Sequence, residues 1–216
     1  MGRLVGNVGR LFFGIVMIGA FSLAFGDAGA FTDPRDGQTY RTVRIGDLTW
    51  MAQNLNFTTD DSWCYGDDAS NCERYGRLYT WDAAMTACPA GWRLPTGDDL
   101  NNLLKAAGGI GWRFDGDQEN IDYLFAAAVA SGDIAATRLK SRSPDWDGTD
   151  DLGFSALPGG SHSGDNFNDI GERGVWWNAS ELNRFDAWYW DMSSSNLVSS
   201  DYGDKSCGFS VRCVRE

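Results

Sequence analysis

The residues that could supply nucleophilic or metal chemistry are a single histidine, His162, and five cysteines, Cys64, Cys72, Cys88, Cys207 and Cys213. Their spacing fits neither use. No two cysteines have the C-x-x-C separation of a zinc or redox site, and one histidine cannot complete a Cys/His ligand set. A Ser-His-Asp or Cys-His arrangement would have to use His162 in Gly160-Ser161-His162-Ser163-Gly164, which reads as a solvated loop with no elbow motif around a serine. Paired carboxylates for glycoside hydrolysis will always occur among 30 acidic residues, and no feature selects one pair. A secreted enzyme acting on polysaccharide is therefore the alternative, and a non-enzymatic binding module the main expectation.

Two other residue sets could hold a ligand. Hard cations take oxygens from Asp, Asn and carbonyls on flexible loops, which Asp145-Trp146-Asp147-Gly148-Thr149-Asp150-Asp151 and Asp165-Asn166-Phe167-Asn168-Asp169 both offer. Asp165, Asn166, Asn168 and Asp169 form the candidate calcium site, and calcium is the one candidate cofactor. Neither segment has the EF-hand pattern, and acidic turns without metal are the competing account. Ten tryptophans exceed what a core of this size usually needs, and exposed aromatic faces are a means of stacking on polysaccharide. In Asp186-Ala187-Trp188-Tyr189-Trp190-Asp191, alternation puts Trp188 and Trp190 on one strand face and Tyr189 on the other. Trp188, Trp190 and Trp146 are the candidate ligand-binding residues; the competing account buries that strand face in the core. Trp50, Trp81 and Trp92 lie beside apolar residues and are expected in the core.

These residues need a scaffold, and the first thirty residues are not expected to belong to it. Arg3 and Arg10 precede an apolar run from Leu11 to Phe25, which is shorter than the roughly 20 residues of a spanning helix. Small residues follow, so residues 1–30 read as a secretory signal. Cleavage after Gly26 or after Ala30 is consistent with this, and Ala28-Gly29-Ala30 fits the A-x-A pattern better. An uncleaved anchor is the alternative; no nearby cysteine could carry a lipid. Residues 31–216 then make one domain. The net charge of −12 opposes nucleic acid and anionic lipid as partners, and the wealth of aromatics opposes disorder. All five cysteines follow the leader, as expected of a protein in an oxidising compartment.

Periodicity gives an α+β class without a βαβ repeat. Gln38–Ile45 reads as a strand, turned by Gly46-Asp47 into a second strand, Leu48–Met51. Trp81–Cys88 reads as a short helix stopped by Pro89, and Thr96 caps a second with Asp99 three residues on and Leu100, Leu103 and Leu104 on one face. A third is expected from about Asp117 to Ala130. The chain ends in an expected strand, Gly208–Val214.

Five blocks carry a family likeness: Asp36–Asn56 (D-G-Q-T-Y-R-T-V-R-I-G-D-L-T-W-M-A-Q-N-L-N), Cys72–Met85 (C-E-R-Y-G-R-L-Y-T-W-D-A-A-M), Cys88–Pro95 (C-P-A-G-W-R-L-P), Gly153–Gly160 (G-F-S-A-L-P-G-G) and Gly208–Glu216 (G-F-S-V-R-C-V-R-E). In that order they resemble the Fibrobacter succinogenes major paralogous domain, a family of exported bacterial domains. The resemblance implies an extracytoplasmic place, in the periplasm, at the cell surface or secreted. More distantly it implies a C-type-lectin-like fold related to formylglycine-generating enzymes, with short twisted antiparallel strands, two to three helices and long loops rich in glycine and aromatics. It implies no activity. The closely spaced cysteine pair of formylglycine-generating enzymes is missing between Trp190 and Ser206, and so are the Glu-Pro-Asn, Gln-Pro-Asp and Trp-Asn-Asp elements of a lectin calcium site.

The cysteines fit such a stapled domain. Pairing Cys88 at a helix end with Cys213 in the last strand would close a long loop, worth ~4–5 kcal/mol in the chain-entropy model. Cys64 and Cys72 flank a turn-rich segment that closes easily, which leaves Cys207 free or intermolecular. The expectation is a monomeric or weakly associated module at a bacterial surface, with polysaccharide or another surface ligand as partner and no membrane span once the leader is removed.

Overall fold

Alternating polar and apolar residues along Thr39–Ile45 make a strand, and Gly46, at a φ of +63°, lets the chain reverse into Leu48–Met51. The computed structural model describes Gly2 and residues 28–109, 134–194 and 197–216. Its strands are β1 Ala28–Thr32, β2 Thr39–Ile45, β3 Leu48–Met51, β4 Ser62–Trp63, β5 Leu78–Tyr79, β6 Ser161–Ser163, β7 Asn166–Asn168, β8 Arg173–Glu181, β9 Asp186–Ser193, β10 Val198–Asp204, β11 Phe209–Ser210 and β12 Val214–Arg215. Three helices, α1 Ala69–Tyr75, α2 Trp81–Ala87 and α3 Gly97–Ala106, accompany them, and residues 134–139 are also helical. The molecule is thus mixed α+β, with sheet predominating. The helix expected at Asp117–Ala130 lies outside the described residues.

Two sheets carry the architecture. One has the order β1-β2-β3-β12, the other β10-β9-β8-β11-β5-β4, and β6 and β7 form a separate hairpin. The last sequence block does not run as one strand. Phe209–Ser210 belongs to the six-stranded sheet and Val214–Arg215 to the four-stranded one, so the chain crosses between sheets at Val211, Arg212 and Cys213. At the other end Ala28, Gly29 and Ala30, placed in the leader on sequence, pair with Val43, Thr42 and Arg41 as the first part of β1.

The six-stranded sheet is covered on both faces because neighbouring residues of β8 point opposite ways. Trp176 enters one core with Leu100, Leu103 and Leu104 of α3, and stacks on Trp190 of β9 at 4.6 Å. Trp177 enters a second core with Trp81 and Ala84 of α2. Gly174 must lack a side chain, since a Cβ there would lie 2.2 Å from the Trp176 ring. Capping fixes α3 as its sequence implies: Thr96 Oγ1 accepts from Asp99 N while the Asp99 carboxylate accepts from Thr96 N.

Two disulfides, Cys64–Cys72 and Cys88–Cys213, tie the structure together, and Cys207 is free. The second joins the end of α2 to the crossover between the sheets.

At that crossover the Arg212 side chain is fully buried. Its Nε and Nη2 donate to Asn54 Oδ1 at 3.1 and 2.8 Å, and Nη1 and Nη2 reach the carbonyls of Met51, Phe154 and Ser155. Asn54 Oδ1 also accepts from Trp176 Nε1 at 2.9 Å, and its Nδ2 donates to Tyr75 O and Ser210 Oγ. Burial pushes the guanidinium pKa down to about 9, so it is still charged at neutral pH. Asn54→Ala would leave that cation short of its principal acceptor. Urea denaturation of the variant should show a loss of ~3–5 kcal/mol, the cost of breaking a buried charged network.

Candidate functional site

The residues singled out on sequence do not converge. Trp190 is 1 % exposed between Trp176 and Phe154, and Trp146 is 7 % exposed with the Lys140 ammonium 4.6 Å from its ring. Both are core residues, so neither offers a free stacking face. Trp188, two positions along β9 from Trp190 and on the same face, is half-buried at the end of the sheet. Alternation identified the shared face, but only the tertiary structure shows where cover by the first core stops.

The acidic segments also differ from their reading as flexible cation loops. Asp165 lies in the two-residue turn of the β6–β7 hairpin, Asn166 and Asn168 in β7, and Asp169 just beyond. All four are exposed. The rise of an extended strand separates Asp165 from Asp169 by about 13 Å, whereas calcium holds its ligands within roughly 2.6 Å. The hairpin does not gather these residues around one ion. The carboxylates of the other segment are taken up in the protein: Asp145 pairs with Arg74 at 2.8 Å, Asp147 with Lys140 at 3.0 Å and Asp151 with Arg138 at 3.3 Å, while Asp150 accepts from Ser155 N and Oγ. Among the described residues no group of three or more His, Cys, Asp or Glu is placed to hold a metal.

His162 is not solvated. The hairpin lays its ring on Trp63 at 4.3 Å and against Phe167 at 4.7 Å, leaving it 8 % exposed. Ser161-His162-Ser163 followed by Gly164-Asp165 is a strand and hairpin-turn signal that marks this in the sequence. It also forms no dyad with Cys207. His162 pairs through its backbone with Gly208, so the adjacent Cys207 projects to the opposite face, where its thiol lies 3.7 Å from Ser163 Oγ. Burial raises the Cys207 pKa, the reverse of what a nucleophilic thiolate needs.

What the fold does assemble is an aromatic ledge at one end of the six-stranded sheet. Trp188 of β9 stands directly opposite Tyr202 of β10, with ring centroids 5.9 Å apart and the planes at 76°. Tyr202 is 53 % exposed, and the β8–β9 connection at the same end carries Leu182 and Phe185, 41 % and 58 % exposed. On the β8 side the register breaks between Trp177 and Glu181, so Asn178, Ala179 and Ser180 together face Trp188. This bulge is pinned from behind: Asn178 O accepts from Trp81 Nε1 at 2.9 Å, Asn178 Oδ1 from Ser180 N at 2.8 Å, and Ala179 N donates to Pro95 O at 2.8 Å.

Polar groups occupy the same connection and the neighbouring edge strand. Asn183 Nδ2 donates to Asp186 Oδ2 at 3.0 Å and Asp201 is exposed beside Tyr202 on the edge strand, while Lys205, paired with Glu181, lies over the Trp81 ring of the second core. Exposed rings framed by carboxylates and amides can stack on a sugar and accept from its hydroxyls. Tyr202 and Phe185 were missed on sequence, because alternation in the Ser- and Asp-rich β10 is weak and Phe185 sits in a loop.

The family model described as Fibrobacter succinogenes major domain matches residues 43–215, from within β2 to β12. The chain belongs to this family. No curated protein and no solved structure matches it. The matched part of this Fibrobacter major domain takes in the first core, most of the second, both disulfides, the Arg212 network and the ledge.

The two tryptophans of β9 should behave differently. Trp190→Ala removes a fully buried ring and should cost ~3–5 kcal/mol of stability in urea denaturation. Trp188→Ala, at the half-open end, should cost well under that, and equal losses would show that the ledge belongs to the core.

Proposed function

We propose that the protein is an exported, non-enzymatic module that binds polysaccharide through the Trp188–Tyr202 ledge. The observation that carries this reading is the cross-strand pair of half-buried Trp188 and exposed Tyr202, with exposed Phe185 on the β8–β9 connection at the same end of the sheet. Stacking of this kind needs no cation.

Export is supported by the apolar run after Arg3 and Arg10 and by the two disulfides, which persist in oxidising compartments. Among the described residues no helix is long and apolar enough to cross a membrane. The position of β1 favours cleavage after Gly26. Cutting after Ala30 would discard three of the five residues of β1, Ala28, Gly29 and Ala30, and their pairing with β2. N-terminal sequencing of the exported product should give Asp27 first; a start at Phe31 would show that the β1 pairing is dispensable. The C-type-lectin-like relationship is also part of this proposal. Supporting it are the strand near the C-terminus laid beside β3, the disulfide from α2 to the crossover, and the ledge at one end of the larger sheet.

Binding is tested by retention on a panel of insoluble plant polysaccharides. Tyr202→Ala and Trp188→Ala should each weaken retention on the order of tenfold, about 1.4 kcal/mol, with melting temperatures near that of the parent. A calcium chelator should leave retention unchanged. Release of soluble sugar by the parent protein would favour the enzyme alternative, and loss of retention on chelation would move the site to the acidic loops.

A further inference from the structure

The two disulfides sit in different surroundings. Cys213 is fully buried, and its bond to Cys88 spans 125 residues at the crossover of the sheets. The bond between Cys64 and Cys72 spans only 8 residues, and Cys64 is half-buried. A guanidinium lies against it: Arg77 Nη1 is 3.5 Å from the sulfur of Cys64 and 3.5 Å from that of Cys72. The rest of the fork is fixed, Nε donating to Ser62 Oγ at 3.0 Å and Nη2 to Ser62 O at 3.1 Å. Among the described residues Arg77 has no carboxylate partner. Its charge therefore faces the sulfurs without a competing anion.

The acidic side chains of this corner do not cancel that charge at the sulfurs. Asp68 accepts from Ser70 N and Oγ, and Asp61, Asp67 and Glu73 are exposed to solvent. A cation held against a disulfide does little for the neutral bond, but it stabilises the thiolate that forms when the bond opens, and a better-stabilised leaving thiolate departs faster.

We propose that Cys64–Cys72 is a redox-labile bond, a site for thiol–disulfide exchange with a dithiol, in which Arg77 receives the leaving thiolate. The thiolate of the incoming dithiol attacks Sγ of Cys64, the less buried cysteine of the pair. The S–S bond breaks, and Cys72 Sγ leaves with the electron pair as a thiolate against Arg77 Nη1. The second thiol of the reductant, after losing its proton to solvent, attacks its own sulfur in the mixed disulfide and releases Cys64 as a thiolate. Two electrons pass to the protein, the dithiol becomes a disulfide, and its two protons are available to the two released sulfurs.

The consequence is local. Asn71 Nδ2 donates to Tyr65 O at 2.9 Å, and the Tyr65 ring packs on Phe167 of the β6–β7 hairpin at 5.1 Å. Opening the bond releases the segment that carries Tyr65 while Cys88–Cys213 and the Arg212 network stay closed.

The test uses the whole protein with Cys207 alkylated beforehand, equilibrated at fixed ratios of reduced to oxidised dithiothreitol, then trapped with a maleimide and mapped by peptide. Cys64–Cys72 should open at a ratio on the order of tenfold below that for Cys88–Cys213. Arg77→Ala should raise its ratio by a similar factor, and Arg77→Lys should recover part of the shift. Equal ratios for the two bonds, or an unchanged ratio in Arg77→Ala, would overturn the proposal. If Arg77→Ala does not fold, the parent decides alone. After reduction, iodoacetamide alkylation of the first thiol of the pair should be half-maximal below the ordinary cysteine value of about 8.5, and a midpoint at or above that value would overturn it.

Discussion

A guanidinium buried at the meeting of two sheets is the constraint on which the rest of the molecule depends. Taking an ion out of water costs several kcal/mol, and among the described residues no carboxylate pairs with Arg212 to offset it. Compensation comes from the Asn54 side chain, the carbonyls of Met51, Phe154 and Ser155, and the face of the Phe154 ring 4.5 Å away. Those groups come from two distant stretches of chain, residues 51–54 and 154–155, each fixed relative to the other and to the crossover once the cation is in place. The same demand explains why the last sequence block cannot be one strand. Arg212 must turn inward between β11 and β12, so the chain leaves one sheet and joins the other at that point.

From this centre the order passes outward through tryptophans. Asn54 also accepts from Trp176, Trp176 stacks on Trp190, and Trp190 meets Phe154, which lies over the guanidinium. On the other face Trp177 donates to Tyr79 O and Trp81 to Asn178 O, so indole N–H groups fasten β8 to β5 and α2. Most of the tryptophans that look like a surplus for binding are thus structural. Trp188 differs because it lies at the bulge, where the pairing of β8 with β9 loses its register and cover by the first core has ended. A rigid base with an open aromatic end is well suited to a flat ligand, since little side-chain freedom is left to lose on binding.

How much of this is legible in the sequence depends on the range of the interaction involved. The β2–β3 hairpin, α2 and the capping box of α3 follow from local signals, a Gly-Asp turn, a helix stop before Pro89 and Thr96 with Asp99. The family follows from its ordered blocks. The Arg212–Asn54 contact does not, because no spacing rule joins residues 158 positions apart. Trp188 and Trp190 have the same local pattern, and their different fates are set by how far α3 and the residues packed with it extend over the sheet. Asp165, Asn166, Asn168 and Asp169 lie along a hairpin and not in an irregular loop; Asp and Asn in turns have the same composition in either case, and only the Gly164-Asp165 turn separates the two. Half the ledge was visible, as Trp188; its partner Tyr202 depended on the register of β9 with β10.

The most direct measurement of the central claim is an NMR titration of the folded protein with soluble oligosaccharide fragments of the retained polysaccharide, following backbone amides and indole N–H signals. Perturbations confined to Trp188, Tyr202 and the β8–β9 connection, with the Trp176 and Trp190 indoles unmoved, are the predicted result. Perturbations centred on the hairpin at residues 161–169, or a uniform absence of change along β9 and β10 under saturating sugar, would contradict it.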